Sequence, residues 1–214
     1  MTEAARASET PDARERILDA AEQDFALHGF AGAGMKSVAA AAEVAQGLIH
    51  YHFGAKERLY EAVIERRAAI INAGRIARLE AAEAEGLTLR AVFRAFFAPP
   101  LGPEGGGAAY ARIFATLGAG LDRDRALVAR CYDETARRFI AAIRRAEPRA
   151  GEAEAAWAYI LALGALITVI GRDGRLERLS AGAATTEPVA DTVERLAAFA
   201  EGGLLGLIGG AGRD

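Results

Sequence analysis

Read as apolar against polar positions, the chain is a succession of helix-length segments. Residues 11–29 form the first: Ile17, Ala21 and Phe25 step by four along one face, Leu18 lies beside them, and Gly29 supplies the stop. After a loop over 30–34, with Gly34 as an acceptable cap, the Ala-rich stretch 35–42 carries Val38 and Ala42 at i, i+4 as an inner face. Residues 43–45 read as a turn, with Val44 plugging the angle to a helix over 46–53. On that helix Ile49 and Phe53 share one face and Gly47 and Tyr51 lie opposite. Gln46 and His50 flank the outer face on one side, Leu48 and His52 on the other. A long helix over 56–83 follows, with an apolar stripe of Leu59, Val63, Ile70 and Ile71. Its polar remainder, with Arg66, Arg67, Arg75 and Arg78, is the pattern of a connector between two modules.

The second module begins near Leu87. Residues 88–98 are amphipathic, with Val92, Phe93, Phe96 and Phe97, and Pro99-Pro100 should halt that helix. The Gly-rich loop 101–107 lacks the Lys-Ser/Thr of a phosphate-binding loop. Helices are expected over 108–121 and 122–146, the latter ended by Pro148. Residues 155–171 are uncharged and apolar all round, so burial on every side is expected. A membrane helix needs about 20 apolar residues; this run is shorter, interrupted by Gly164 and flanked by Glu154 and Arg172, which argues against a membrane partner. A polar loop over 172–187 leads to the last helix, 188–208, striped by Val189, Val193, Leu196, Ala200, Leu204 and Leu207, with Phe199 and Leu205 off the stripe. The last two helices carry more apolar surface than one chain can cover, so the economical arrangement is a four-helix bundle from two copies. Leu163, Ile167, Val193, Leu196, Ala200 and Leu204 are the expected dimer interface.

A buried Ile/Phe edge beneath an outer Gly, Tyr, His and Gln surface suits a helix lying on nucleic acid. The two short helices form the helix-turn-helix layout, whose second helix enters the major groove. The run Gly47-Leu48-Ile49-His50-Tyr51-His52-Phe53-Gly54-Ala55-Lys56-Glu57 resembles the signature of the tetracycline-repressor (TetR) family of transcriptional regulators. The match extends from Arg14 to Ile64 and includes Phe25, Gly29-Phe30, Val38-Ala39 and Val44. Family members often carry Gly where Glu43 stands, Ser where Ala45 stands and Tyr where His50 stands; losing the Ser removes a helix cap worth ~1 kcal/mol. Residues 91–102, AVFRAFFAPPLG, resemble the C-terminal regulatory domain of some members.

The resemblance implies an all-α protein of about nine helices. A three-helix DNA-binding domain over 11–58 would precede a helical bundle over 59–210 for ligand binding and dimerisation, with helix 56–83 connecting them. Contacts to double-stranded DNA, a pseudo-palindromic operator, would come from Lys36, Ser37, Gln46, Gly47, Leu48, His50, Tyr51, His52 and Lys56. A lysine in the first turn of a helix opposes the dipole, and makes sense where a phosphate sits at the helix start; the alternative is a pair with Glu57 or Glu61. An unknown, partly apolar small-molecule effector would lie among Phe93, Phe97, Tyr110, Phe114, Tyr132, Phe139 and Trp157, with Tyr159 beside them, although core packing explains any one of these singly.

Composition narrows this further. A net charge of −3, with the first sixty residues slightly acidic, does not advertise a nucleic-acid binder. Yet the only two lysines, Lys36 and Lys56, both lie in the helix-turn-helix. The single cysteine, Cys131, excludes an internal disulfide, reads as a buried apolar side chain and fits the reducing cytoplasm. Residues 1–16 have no apolar core and read as a disordered lead-in, not a signal peptide. Catalysis, metal and cofactor have no support: His50 and His52 at i, i+2 diverge by about 200°, His28 has no ligand cluster, and no nucleophile elbow, Walker loop or dinucleotide fingerprint occurs. Two readings remain, a ligand-responsive DNA-binding repressor and a helical dimeric interaction or small-molecule-binding protein without strong DNA binding.

Overall fold

The structure, a computed structural model, describes residues 12–117, 122–171 and 173–210, the side chain of Arg123 excepted. Most of the expected lead-in and the end of the helix expected over 108–121 lie outside the described residues. Among the described residues the elements are α1 (Ala13–Gly32), α2 (Met35–Ala41), α3 (Gln46–Phe53), α4 (Lys56–Glu85), α5 (Leu89–Leu101), a 3-10 turn (Pro103–Gly105), α6 (Gly107–Leu117), α7 (Asp122–Ala146), α8 (Glu152–Ile170), α9 (Arg175–Leu179) and α10 (Val189–Gly210). Ten helices stand against the nine expected, because the segment read as a polar loop holds the short α9. There Asp173 Oδ1 accepts the Arg175 N–H at 2.9 Å and starts the turn.

Two compact units divide between Arg66 and Arg67. In the first, α1 packs on α2 and α3, and Ile17, Leu18 and Ala21 of α1, Val38 of α2, Ile49 of α3 and Leu59 and Val63 of α4 are all buried. The Tyr60 ring stands edge-on to Phe25 and to Phe30, with centroids 5.1 Å away in each case, an arrangement that favours the ring quadrupoles. Gly29 breaks α1 as expected: its φ of 66° and ψ of 177° kink the chain before a last turn. Among the described residues one charge lies in this core. Glu22 is 2% exposed, and Arg66 Nη2 donates to it at 3.2 Å while Arg66 Nη1 reaches Asp19 at 2.8 Å.

In the second unit α5 packs against α7, α8 and α10. Phe96 is at the centre, its ring edge-on to Phe97, Phe139 and Tyr159 with centroids 5.1, 5.6 and 5.2 Å away. The expected stop at Pro99-Pro100 is not observed, because α5 continues through both prolines to Leu101. Proline has no N–H, so Pro100 leaves the Phe96 carbonyl without its i+4 donor. Arg75 Nε takes that place, donating to Phe96 O at 3.0 Å.

The last two helices also depart from expectation. Within the unit α8 buries one face only, with Ala158, Tyr159, Ala162 and Leu166 inside and Ile160 and Leu161 exposed. On α10 the stripe Val193, Leu196, Ala200 and Leu204 is buried in the chain's own core, and Ala200 and Leu204 also reach the floor of a groove beside α8. Leu163 and Ile167 are half-buried. An apolar stripe has the same period whether its neighbour is this chain or a copy, and α5 is the neighbour that occupies it. One surface left open is a groove of about 470 Å³ between α8 and α10, lined by Ile160, Leu161, Gly164, Phe199, Gly203 and Leu207 among others.

Candidate nucleic-acid interface and ligand site

α2 and α3 are joined by a turn in which Glu43 takes a φ of 55°. The left-handed region disfavours side chains, which accounts for the glycine that the resemblance puts there. The turn is held by Val44 N–H donating to Ala39 O at 3.0 Å. α3 starts from Ala45 without a side-chain cap and ends at Gly54, whose φ of 69° suits glycine. His50 Nδ1 lies 2.9 Å from Gly54 O. A carbonyl only accepts, so Nδ1 is the donor in this hydrogen bond.

Along α3 the structure exposes Gln46, Gly47, His50, Tyr51 and His52, half-buries Leu48, and buries Ile49 and Phe53. Tyr51 is 82% exposed. A Cβ on Gly47 would meet nothing within 4 Å, so no packing demand explains glycine there. Lys36 and Ser37 are exposed on α2. Ser37 Oγ lies 3.0 Å from Asp24 Oδ2 and 2.8 Å from Gly34 O. Asp24 Oδ2 also accepts the Gly34 N–H at 2.9 Å, which ties the start of α2 to α1. Sequence reading missed Asp24, since an isolated carboxylate on the polar side of a helix is ordinarily solvated. Lys56 pairs with neither Glu57 nor Glu61. Its ammonium donates to Ala33 O at 2.5 Å and Ala31 O at 3.2 Å and sits 5.0 Å from the Phe30 ring centroid.

Comparison with known proteins agrees with this geometry. The family described as bacterial regulatory proteins, tetR family, matches residues 17–63, and the tetracyclin repressor-like C-terminal domain matches residues 90–203. The chain belongs to the TetR family. Its similarity to curated TetR-type regulators is confined to a short stretch. It is 37% identical over 57 residues to the HTH-type transcriptional regulator UidR of Escherichia coli (strain K12), which is 27% of this chain and 29% of that protein. It is 40% identical over 68 residues to the HTH-type transcriptional regulatory protein RaaS of Mycobacterium tuberculosis, 32% of each. The chain thus spans about a third of the length of the curated relatives it matches. Over nearly its whole length the TetR fold recurs in solved structures. A TetR-like transcriptional regulator from Rhodococcus sp. RHA1 has a TM-score of 0.58 at 23% identity, covering 88% of this chain and 96% of that one. FadR from Bacillus subtilis in complex with stearoyl-CoA has a TM-score of 0.59 at 16% identity, covering 91% and 97%.

In the C-terminal unit of this TetR-family chain the aromatic candidates fall into two groups. Phe93, Phe97 and Phe139 are core residues around Phe96. Tyr110, Phe114 and Tyr132 form the other: the two phenol hydroxyls hydrogen-bond to each other, and Phe114 is 5.5 Å from Tyr132 and 6.1 Å from Tyr110 between centroids. Trp157 joins neither. It is 60% exposed on α8, because the side chains on either side of it, Ala155, Ala158 and Tyr159, take the inward face.

Sequence reading missed Arg75, placing it on the polar side of its helix. It is 2% exposed. The signal was its spacing: Ile71, Arg75 and Leu79 step by four, and all three are buried. Burial pushes the Arg75 guanidinium down from its ordinary range, against the opposing influence of Tyr159, Tyr132 and Tyr110. Burial pushes the Tyr132 and Tyr159 phenols up, so both stay neutral.

Proposed function

We propose that this TetR-family protein is a sequence-specific DNA-binding transcriptional regulator of the cytoplasm, acting as a repressor whose operator binding is modulated by a small molecule in the C-terminal unit. The observation that carries the reading is α3. Its inward face, Ile49 and Phe53, is buried while Gln46, Gly47, His50, Tyr51 and His52 form an open outer row. Phosphate contacts position such a helix and base contacts specify its sequence; Lys36 and Ser37 on α2 and Lys56 at the start of α4 serve the first role, and Gln46 and Tyr51 the second. The open apolar groove between α8 and α10 supports a homodimer closed by a second copy of the same two helices. The stearoyl-CoA complex of FadR, a protein of the same fold, supports a small-molecule effector.

Selection of DNA fragments by the purified protein, followed by mobility shifts at several salt concentrations, tests the reading. The expected outcome is a pseudo-palindrome whose half-site centres lie one helical turn apart or a multiple, about 34–36 Å per turn. Tyr51→Ala should blur preference at particular base pairs. If no fragment is enriched at any salt concentration, the chain is a helical interaction or small-molecule-binding protein instead.

A further inference from the structure

Arg75 is a permanent cation with no carboxylate partner among the described residues. Arginine carries five N–H donors and stays protonated in proteins. Among the described residues its one hydrogen bond runs from Nε to Phe96 O, and no carboxylate lies within ion-pair distance. The guanidinium carbon also sits 4.1 Å from the Phe96 ring centroid, a contact that disperses charge without neutralising it. Its terminal nitrogens have no acceptor among the described residues. The ionisable groups that act on it are the phenols of Tyr159, Tyr132 and Tyr110, and burial keeps the first two neutral. An isolated buried charge is expensive unless something pairs with it.

Two further polar groups beside this charge are unmet. The Tyr159 hydroxyl, on a side chain 7% exposed, has no hydrogen-bond partner among the described residues. Asn72 lies three residues before Arg75 on the same helix face. Its Nδ2 donates to Cys131 O at 2.8 Å, while its buried Oδ1 has no donor. A cation, a phenol donor and an amide acceptor are thus left unsatisfied among the rings of Phe96, Tyr110 and Tyr132, where a helical core would otherwise pair every polar atom.

We propose that Arg75 is the anion-recognising residue of an internal ligand site in the C-terminal unit, and that the ligand is an organic acid with a carboxylate on an apolar body. The carboxylate accepts from the terminal nitrogens of Arg75, a charge-assisted and geometrically matched pair. The Tyr159 hydroxyl donates to the same group, and the surrounding rings cover the apolar body. A hydroxyl or N–H on the ligand near the acid satisfies Asn72 Oδ1. A cationic ligand is repelled by the same guanidinium, and a neutral amide leaves its charge unbalanced. This deepens the effector half of the reading above and rests on it only for the consequence at the operator.

The test is calorimetry and thermal melting of the full chain, without DNA, against octanoate, phenylacetate and trans-cinnamate, their primary amides, and benzyltrimethylammonium. At least one acid should raise the melting temperature and bind tenfold or more tighter than its amide, as expected when one charged hydrogen-bonded pair is made, and the ammonium should not bind. Arg75→Met should abolish the acid preference. Tyr159→Phe, a milder change that keeps the fold if Arg75→Met does not, should weaken the acid several-fold and leave the amide unchanged. Failure of every acid to bind, equal binding of acid and amide, or an acid preference that survives both substitutions overturns the proposal. Operator titration with and without the bound acid is read separately. An acid that binds through Arg75 without changing operator affinity upholds the site and removes its regulatory consequence.

Discussion

Lys56 Nζ lies 2.5 Å from the carbonyl oxygen of Ala33, and Ala31 O takes a second hydrogen bond from the same ammonium at 3.2 Å. A lysine at the start of α4 therefore closes off the chain that leaves the end of α1. The ammonium has three donors, and the two carbonyls use two of them. One remains for a phosphate. Lys56→Ala should lower stability by about 1 kcal/mol, from loss of a partly exposed charge-assisted pair, and should also shallow the salt slope of operator binding by about 1. Urea melts and salt-dependent mobility shifts measure the two effects. An unchanged slope with reduced stability would confine Lys56 to the structural role.

Gly47 separates folding from binding. A Cβ there meets nothing within 4 Å, and alanine is the better helix former by up to about 1 kcal/mol. Gly47→Ala should hold or raise the melting temperature while weakening the operator complex, because the added methyl occupies the row that must approach DNA. Equal operator affinity in wild type and variant removes Gly47 from the contact set.

The turn and start of α3 are suboptimal in two places. Glu43 has a φ of 55°, and Ala45 offers no cap to the free N–H groups of α3. Ala45→Ser should stabilise the protein by about 1 kcal/mol, and Glu43→Gly by roughly 0.5–1 kcal/mol, the relief of left-handed strain less the extra chain entropy of glycine. Denaturant midpoints that fall in both variants would refute this account.

The open groove and the buried stripe predict opposite outcomes for two changes on α10. Phe199 is 65% exposed and Leu204 fully buried. Phe199→Glu should give a folded monomer with weakened operator binding, since a single half-site contact remains. Leu204→Glu should unfold the unit, as a carboxylate without a partner enters the core. Light scattering together with circular dichroism distinguishes them. A dimeric Phe199→Glu protein would move the interface elsewhere.

Stability should also fall in alkali through Tyr132. Burial raises its phenol pKa above that of the unfolded chain, near 10. A raised group contributes stability that is fully present below the unfolded value and is lost as pH rises towards the folded one. The denaturant midpoint should therefore drop progressively from about pH 10 upwards, and Tyr132→Phe should flatten that drop. A variant as alkali-sensitive as wild type assigns the loss to other groups.

By itself the sequence determined the helical order and the helix-turn-helix. Ile17, Ala21 and Phe25, and then Ile49 and Phe53, bury as their spacing requires, because a period of 3.6 puts local residues on one face whatever lies opposite. The outer row of α3 was legible for the same reason, as the complement of a buried edge. What needed the tertiary structure was the identity of each partner. The Val193, Leu196, Ala200 and Leu204 stripe had to bury, yet only the tertiary structure shows α5 and α8 of the same chain packed against α10. Trp157 had the composition of a pocket residue and an outward position on α8. α5 passes through two prolines, and Arg75, from a helix some twenty residues earlier in sequence, supplies the donor that Pro100 denies to the Phe96 carbonyl. Arg75 read as surface charge, and burial among Phe96, Tyr110, Tyr132 and Tyr159 reversed that meaning. Periodicity tells which side of a helix is inside, whereas long-range neighbours decide what an inward polar group is there to meet.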